Sequence, residues 1–235
     1  MRQQRPRGTT TRDAVVSAAL DIVDRAGVDG LTIRSVASVI GAPPMSLYTH
    51  FANKEELLDL MFGELSRRLY ADTGSDTWQA ELQALVHHMR QTLLAHPRWT
   101  PLLSRPAPPT MSPVRERILK MMVGSGIPAD EALQGLSSAI VSGMGLVLVE
   151  LTFREPDGAA SFARRFERIR ELYEKEPSPG AEPTSRDAFA KVRHFNFDEI
   201  FRFTLKTLIA GIEAKCASAK LDDAPSSDVA ERRRN

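Results

Sequence analysis

Between residues 14 and 26 the apolar positions fall at Ala14, Val15, Ala18, Ala19, Ile22, Val23 and Ala26. This i, i+3, i+4, i+7 spacing lines one face of a 3.6-residue helix. Gly27 follows and suits the left-handed turn that ends helices, so a first helix is expected over 11–26. Ile33, Val36, Ala37 and Ile40 repeat the spacing behind Thr32, whose hydroxyl can cap a helix, and Gly41 closes the run. A second, short helix is expected over 32–40.

Proline cannot continue a helix, because it lacks the amide donor and clashes with the preceding turn. Pro43 and Pro44 therefore force a break, after which Pro44 suits the first position of a new helix. A third helix is expected over 44–50. Asn53 followed three residues later by Glu56 has the form of a capping box, and Leu57, Leu58, Met61, Phe62, Leu65 and Leu69 then give a stripe of more than four turns.

The helical period persists over about 78–95, 113–124, 130–153 and 196–217. Segment 97–113 carries six prolines, enough to interrupt it, with a short turn of helix expected around 99–103. No strand-like alternation competes, and no repeat of 20–50 residues suggests a solenoid. The fold class is all-α, a three-helix N-terminal unit followed by a larger helical body.

Composition changes this picture little: 42% of the 235 residues are hydrophobic and 26% charged, ordinary for a globular chain. A net charge of +1 means that affinity for nucleic acid must rest on local asymmetry. Such asymmetry exists at the N-terminus, where Arg2, Arg5, Arg7 and Arg12 stand with no acid among residues 1–12. This basic stretch can enter a minor groove or lie along phosphates, or be no more than a solvated terminus. The single cysteine, Cys216, excludes an intrachain disulfide and any cysteine-rich zinc module. No apolar segment follows the basic N-terminus, and no uninterrupted apolar run approaches the ~18–20 residues of a membrane span. A cytoplasmic protein without a membrane partner is expected.

Two short helices joined through a glycine, behind a longer packing helix, have the dimensions of a helix-turn-helix unit. Leu47 and Phe51, four residues apart, would face inward and leave Met45, Ser46, Tyr48, Thr49 and His50 outward. An ordinary surface helix would carry more acid.

The wording Leu31-Thr32-Ile33-Arg34-Ser35-Val36-Ala37, Gly41-Ala42-Pro43 and Ser46-Leu47-Tyr48-Thr49-His50-Phe51-Ala52-Asn53-Lys54-Glu55-Glu56-Leu57-Leu58 resembles the DNA-binding domain of TetR-family repressors. The resemblance covers about residues 11–65. Through His96-Pro97, the 136–151 helix and residues 195–213, the body resembles the tetracycline-repressor branch. It implies a DNA-facing set of Thr32, Arg34, Pro44, Met45, Ser46, Tyr48, Thr49, His50 and Lys54. Tyr48 offers a hydroxyl on a rigid ring and Lys54 a charge at a helix N-terminus, both suited to phosphate. Arg34 can fork onto guanine O6/N7 or take a phosphate, while Thr32 or Ser46 can add a hydroxyl contact. The departure from the family lies at Pro43-Pro44-Met45, where many members place a polar base-reading side chain at the Pro44 position, which favours apolar contact with thymine methyl groups.

The resemblance further implies a homodimer on a palindromic double-stranded operator and a small-molecule effector held by the body. Met89, Trp99, Met122 and Met144, flexible thioethers and an indole, are the candidate walls of that pocket. The expected division is an arm over 1–10, a DNA-binding domain over 11–56, an effector-binding and dimerisation domain over 57–217 and a disordered tail over 218–235. Adjacent His87 and His88 point ~100° apart on a helix and do not readily share an ion, so no metal or other cofactor is expected. The chain has no Gly-x-Ser-x-Gly, no phosphate-binding glycine loop and no His-Glu-x-x-His, so no enzymatic role is expected either. The rival reading is a helical ligand-binding or interaction protein, even an enzyme, that has lost operator binding.

Overall fold

The structure, a computed structural model, describes residues 10–70, 73–103, 112–154 and 196–222, with isolated helical positions between 158 and 171. The expected arm over 1–10, save Thr10, and most of the expected tail lie outside these residues. Along the chain run α1 (Arg12–Ala26), α2 (Ile33–Ile40), α3 (Pro44–Leu47), α4 (Lys54–Leu69), α5 (Trp78–Ala95), α6 (Thr100–Leu103), α7 (Pro113–Gly124), α8 (Ala129–Arg154) and α9 (Phe197–Asp222), with 3-10 turns at Val28–Gly30 and Pro97–Trp99. The described residues contain no strand. By its contacts the chain divides into two compact units, Met1–Ile118 and Leu119–Asn235.

In the first unit α1 packs on α2 and α4, and Val15, Ala19, Leu20, Val23, Val36, Leu47, Leu57, Met61 and Leu65 are fully buried. Each large side chain removed from water this way contributes about 1.5–3 kcal/mol. Caps set the helix ends. The Thr11 hydroxyl accepts from Ala14 N, and Thr32 and Ser35 cap each other reciprocally. Gly41, at φ 77°, takes a left-handed backbone that a side chain would strain, and donates to Ala37 O.

The start of α4 departs from the expected capping box by one residue. Asn53 accepts from Glu56 N at 2.9 Å, but Glu56 reaches back to Ala52 N at 2.7 Å rather than to Asn53. Its other oxygen takes Arg12 at 3.1 Å, and Arg12 Nε donates to His50 O at 3.2 Å. Arg12, read in sequence as part of the basic arm, thus ties the start of α1 to the start of α4. At its other end α1 is held by the Pro97–Trp99 turn: His96 Nδ1 lies 3.0 Å from the Asp24 carboxylate, and Arg98 donates to the carbonyls of Asp24 and Arg25.

Glu81 on α5 is fully buried and accepts from Thr73 N at 3.1 Å, Thr73 Oγ1 at 2.7 Å and Ser75 N at 2.9 Å. Arg117 of α7 stands 3.8 Å from the same carboxylate and donates to Ser75 O at 2.7 Å. Burial by itself would raise the pKa of Glu81, but the hydrogen bonds from Thr73 and Ser75 outweigh it and hold the carboxyl below the ordinary range.

In the second unit α8 packs on α9. Leu136, Ala139, Ile140 and Val147 are buried on one, Phe201, Leu205, Ile209 and Ile212 on the other. The helices approach closely at Gly135, where a Cβ would stand 2.8 Å from Ile212 Cδ1 and 2.9 Å from Cγ1. Gly63 on α4 has nothing within 4 Å of such a Cβ. Gly63→Ala should therefore gain the helix preference of alanine, about 0.5–1 kcal/mol, whereas crowding should turn Gly135→Ala into a net loss. Equal stabilisation of both variants in urea titrations would refute the close approach.

Sequence inspection found no uninterrupted apolar run long enough to span a membrane, yet α8 is 26 residues long, with mean hydropathy 1.7 over its richest 18-residue window. By length and composition it can cross a bilayer; Gln134, Ser137, Ser138 and Ser142 interrupt the run without cancelling its apolar character. Only 33% of that window is buried within the chain. Leu133, Val141, Leu148 and Val149 on α8 and Phe203 on α9 stand exposed.

Candidate nucleic-acid interface

The unit that presents the DNA-facing set is anchored from beneath by Val36, Ala37, Leu47 and Phe51, all buried. After Gly41, Pro43 is extended at φ −61° and Pro44 opens α3. The third helix is shorter than the 44–50 expected. Its α-helical part ends at Leu47, and Thr49 N and His50 N then bond three residues back to Ser46 O and Leu47 O. Leu47 and Phe51 are both buried all the same, and a tighter turn replaces a second turn of α-helix between them.

Around this core Arg34, Pro44, Met45, Tyr48, Thr49 and Lys54 are exposed, and Ser46 and His50 half-buried. Met45, at 76% exposure, protrudes furthest among the apolar side chains, and Tyr48 is 44% exposed. The hydroxyls differ in what remains for a ligand. Thr32 uses its own in the cap with Ser35. Ser46 donates to Pro43 O at 2.7 Å and Thr49 to Ser46 O at 2.8 Å, so both offer only lone pairs outward. A phosphate, which needs donors, gains nothing from them unless those local bonds open.

Arg34, the Tyr48 hydroxyl and Lys54 are the contrasting group, for none has a hydrogen-bonding or ionic partner among the described residues. The Tyr48 ring leans on Phe51, with centroids 5.9 Å apart and planes at 51°, which fixes where its hydroxyl points. Lys54 is the first residue of α4, the end at which a cation opposes the helix dipole. Its placement does nothing for the stability of that helix, whereas beside a phosphate it would be favourable. Val39, 46% exposed on α2, adds apolar surface that sequence reading missed because it falls off the 33/36/37/40 stripe.

The candidate effector-pocket walls divide between the units. Met89 and Trp99 are buried in the first, while Met122 is buried and Met144 half-buried in the second. A groove of about 860 Å³ between α1 and α4, lined by Arg12, Asp13, Leu60 and Arg68 among others, touches none of the four. A smaller one of about 270 Å³ between α8 and α9, lined by Glu131, Gly135, Gly211 and Lys215 among others, also touches none. His88, weighed in sequence as a metal ligand, instead bonds through Nε2 to Arg68 O at 2.9 Å.

Residues 15–61 match the family described as bacterial regulatory proteins, tetR family, and residues 70–216 match the tetracyclin repressor-like C-terminal domain. The HTH-type transcriptional repressor DrrR1 of Streptomyces coeruleorubidus is 29% identical over 231 residues, spanning 94% of this chain and 83% of the relative. Apo ActR of Streptomyces coelicolor superposes with a TM-score of 0.72 at 22% identity, covering 90% of this chain and 99% of that one. The same protein in complex with actinorhodin gives 0.69 at 22% identity over 88% and 97%. At these identities the two structures speak to the fold alone, whereas the two family matches together span most of the described residues. The chain belongs to the TetR family and is a helix-turn-helix DNA-binding transcriptional regulator.

Proposed function

We propose that this regulator is a repressor that binds a palindromic operator as a homodimer and leaves it when a small molecule occupies the helical body. The observation that carries the reading is the unpartnered donor group of Arg34, Tyr48 and Lys54 on an otherwise well-buried helix-turn-helix. Around them Thr32, Pro44, Met45, Ser46, Thr49 and His50 complete the contact surface, with Pro44 and Met45 against thymine methyl groups. Residues 11–56 carry DNA binding and 57–217 carry the effector and the dimer contact, with no catalytic step assigned to either. Repression is supported by the name of DrrR1, and a ligand-holding body by the actinorhodin complex of ActR.

Dimerisation is supported by the uncovered apolar side chains of α8 and α9, with Val141 at 69% and Phe203 at 71% exposure. Such a patch is stable in water only when covered, and a two-fold axis covers it with itself. Half-sites should then lie about 34–36 Å, one helical turn, or a multiple apart. Sedimentation should give twice the chain mass, and fluorescence anisotropy should show binding to a palindrome from the chain's own promoter that random duplex does not compete away. A strict monomer, or equal competition by random duplex, would refute the reading and leave a ligand-binding protein without an operator.

A further inference from the structure

Trp99 is packed between side chains that are themselves held in place. Its indole is 3% exposed and lies flat on His96, with centroids 3.9 Å apart and planes 6° from parallel. The Arg68 guanidinium sits 5.6 Å from the ring centre. Both clamping groups are themselves held, His96 by Asp24 at 3.0 Å and Arg68 by Glu64 at 2.8 Å. These contacts hold the indole with its N–H turned away from water.

That N–H is buried and has no acceptor among the described residues. Buried indole donors ordinarily find one, and an unmet donor costs about 1–3 kcal/mol. The same unit buries a second unmet donor, Nε of Arg115, whose guanidinium lies 5.7 Å from the centre of the Tyr70 ring. Among the described residues of this unit the unmet buried side-chain groups are donors only. The 3-10 turn that carries Trp99 packs against α5 and α6, whose Met89, Leu93 and Leu102 are buried and apolar.

We propose that Trp99 is the hydrogen-bonding anchor of the effector site, and that the effector is a largely apolar molecule bearing an oxygen acceptor. This rests on the reading of the body as effector-binding and adds the ligand's chemistry to it. An acceptor delivered to the indole relieves a deficit that the ligand-free packing carries. The ligand therefore prefers the arrangement that receives it, which is the differential affinity any inducer requires. The contacts extend to Asp24 on α1 and Glu64 on α4, so a shift of the indole reaches the helix that packs on α2 and the helix that Lys54 opens.

The test uses 2-naphthoate as an acceptor-bearing probe and 2-methylnaphthalene as its acceptor-free counterpart. The chain has two tryptophans, Trp78 and Trp99, so its two indole N–H signals in a nitrogen-15 spectrum are separable by Trp99→Phe, which keeps an aromatic ring in the stack. Naphthoate should move the Trp99 signal downfield, Trp99→Phe should weaken its binding about tenfold, and 2-methylnaphthalene should bind wild type and Trp99→Phe alike. No naphthoate binding up to about 10 mM, where weak fragments still register, or binding that leaves the wild-type Trp99 signal in place, would overturn the proposal whether or not the variant folds. Operator affinity measured in parallel separates the two claims. A moved Trp99 signal with unchanged operator affinity keeps the anchor and removes effector release. Operator release with an unmoved signal does the reverse.

Discussion

Arg34→Ala, Tyr48→Phe and Lys54→Ala should each lower operator affinity while leaving the melting temperature unchanged. The three side chains are exposed and their donors have no partner within the described residues, so truncation removes no intramolecular bond and should stay within about 0.5 kcal/mol of wild type in stability. On DNA the effects should differ in kind. Lys54→Ala should weaken every duplex alike and reduce the salt slope by about one per half-site, as loss of a phosphate contact does. Arg34→Ala should cost about 1–3 kcal/mol and, if it forks onto a guanine, relax preference at that one base pair; a uniform loss would place it on phosphate instead. Tyr48→Phe removes one hydroxyl and should cost about 0.5–1.5 kcal/mol per half-site. Affinity unchanged in all three, with salt slope unchanged, would show that DNA meets another face of the unit.

Glu81→Ala should destabilise the first unit although it removes no apolar side chain. It strands Thr73 N, Thr73 Oγ1 and Ser75 N and leaves Arg117 without its buried counter-charge. Water can re-cover part of what is left, because Thr73 is exposed and Arg117 stands 34% exposed at 3.8 Å, so the loss should be about 1–3 kcal/mol, which for a chain of this length lowers the melting temperature by roughly 2–12 °C. The pH dependence has a definite sign. The folded pKa of Glu81 lies below its ordinary value, so its stabilisation is complete above the unfolded value of about 4.3 and drains away as pH falls through the folded one. The stability gap between wild type and Glu81→Gln should be widest at neutral pH and close in acid. A gap that stays constant into acid would mean that the carboxylate charge is not what binds the loop.

Local chemistry made much of the first unit legible. Gly27 and Gly41 end their helices, and Thr11, Thr32 and Asn53 begin theirs, because capping depends on residues within three or four positions. The readings that shifted depend on long-range packing. The third helix stops at Leu47, where bonds from Thr49 N and His50 N three residues back replace the α-helical ones, a difference that the apolar spacing does not show. Glu56 engages Ala52 and Arg12 because α1 lies alongside α4. Glu81 was invisible, since a lone acid on an amphipathic helix gives no sign that a loop and Arg117 will fold over it. The outward set of the helix-turn-helix could be read because period and motif agree there, but sequence could not tell that Ser46 and Thr49 give their hydroxyl hydrogens to the backbone while Tyr48 does not. The Met and Trp candidates were chosen by residue type alone, which does not separate a pocket wall from core.

The first unit holds its cations in two conditions. Arg12 is braced by Glu56 and the His50 carbonyl, whereas Arg34 and Lys54 are exposed and have no partner among the described residues, so a duplex that engaged them would also have to order them. Freezing a long cationic side chain removes up to about 2 kcal/mol of rotamer entropy, and that loss falls due at the operator rather than during folding. On non-specific DNA the same side chains can stay loosely paired with whichever phosphates pass and keep most of their freedom, so the protein can slide without sticking. Only where the duplex geometry satisfies all of them together does the ordering become worthwhile. An acidic neighbour that braced Arg34 or Lys54 in advance would therefore blunt discrimination from the other direction, by giving the cation a partner it must surrender at every site, correct or not.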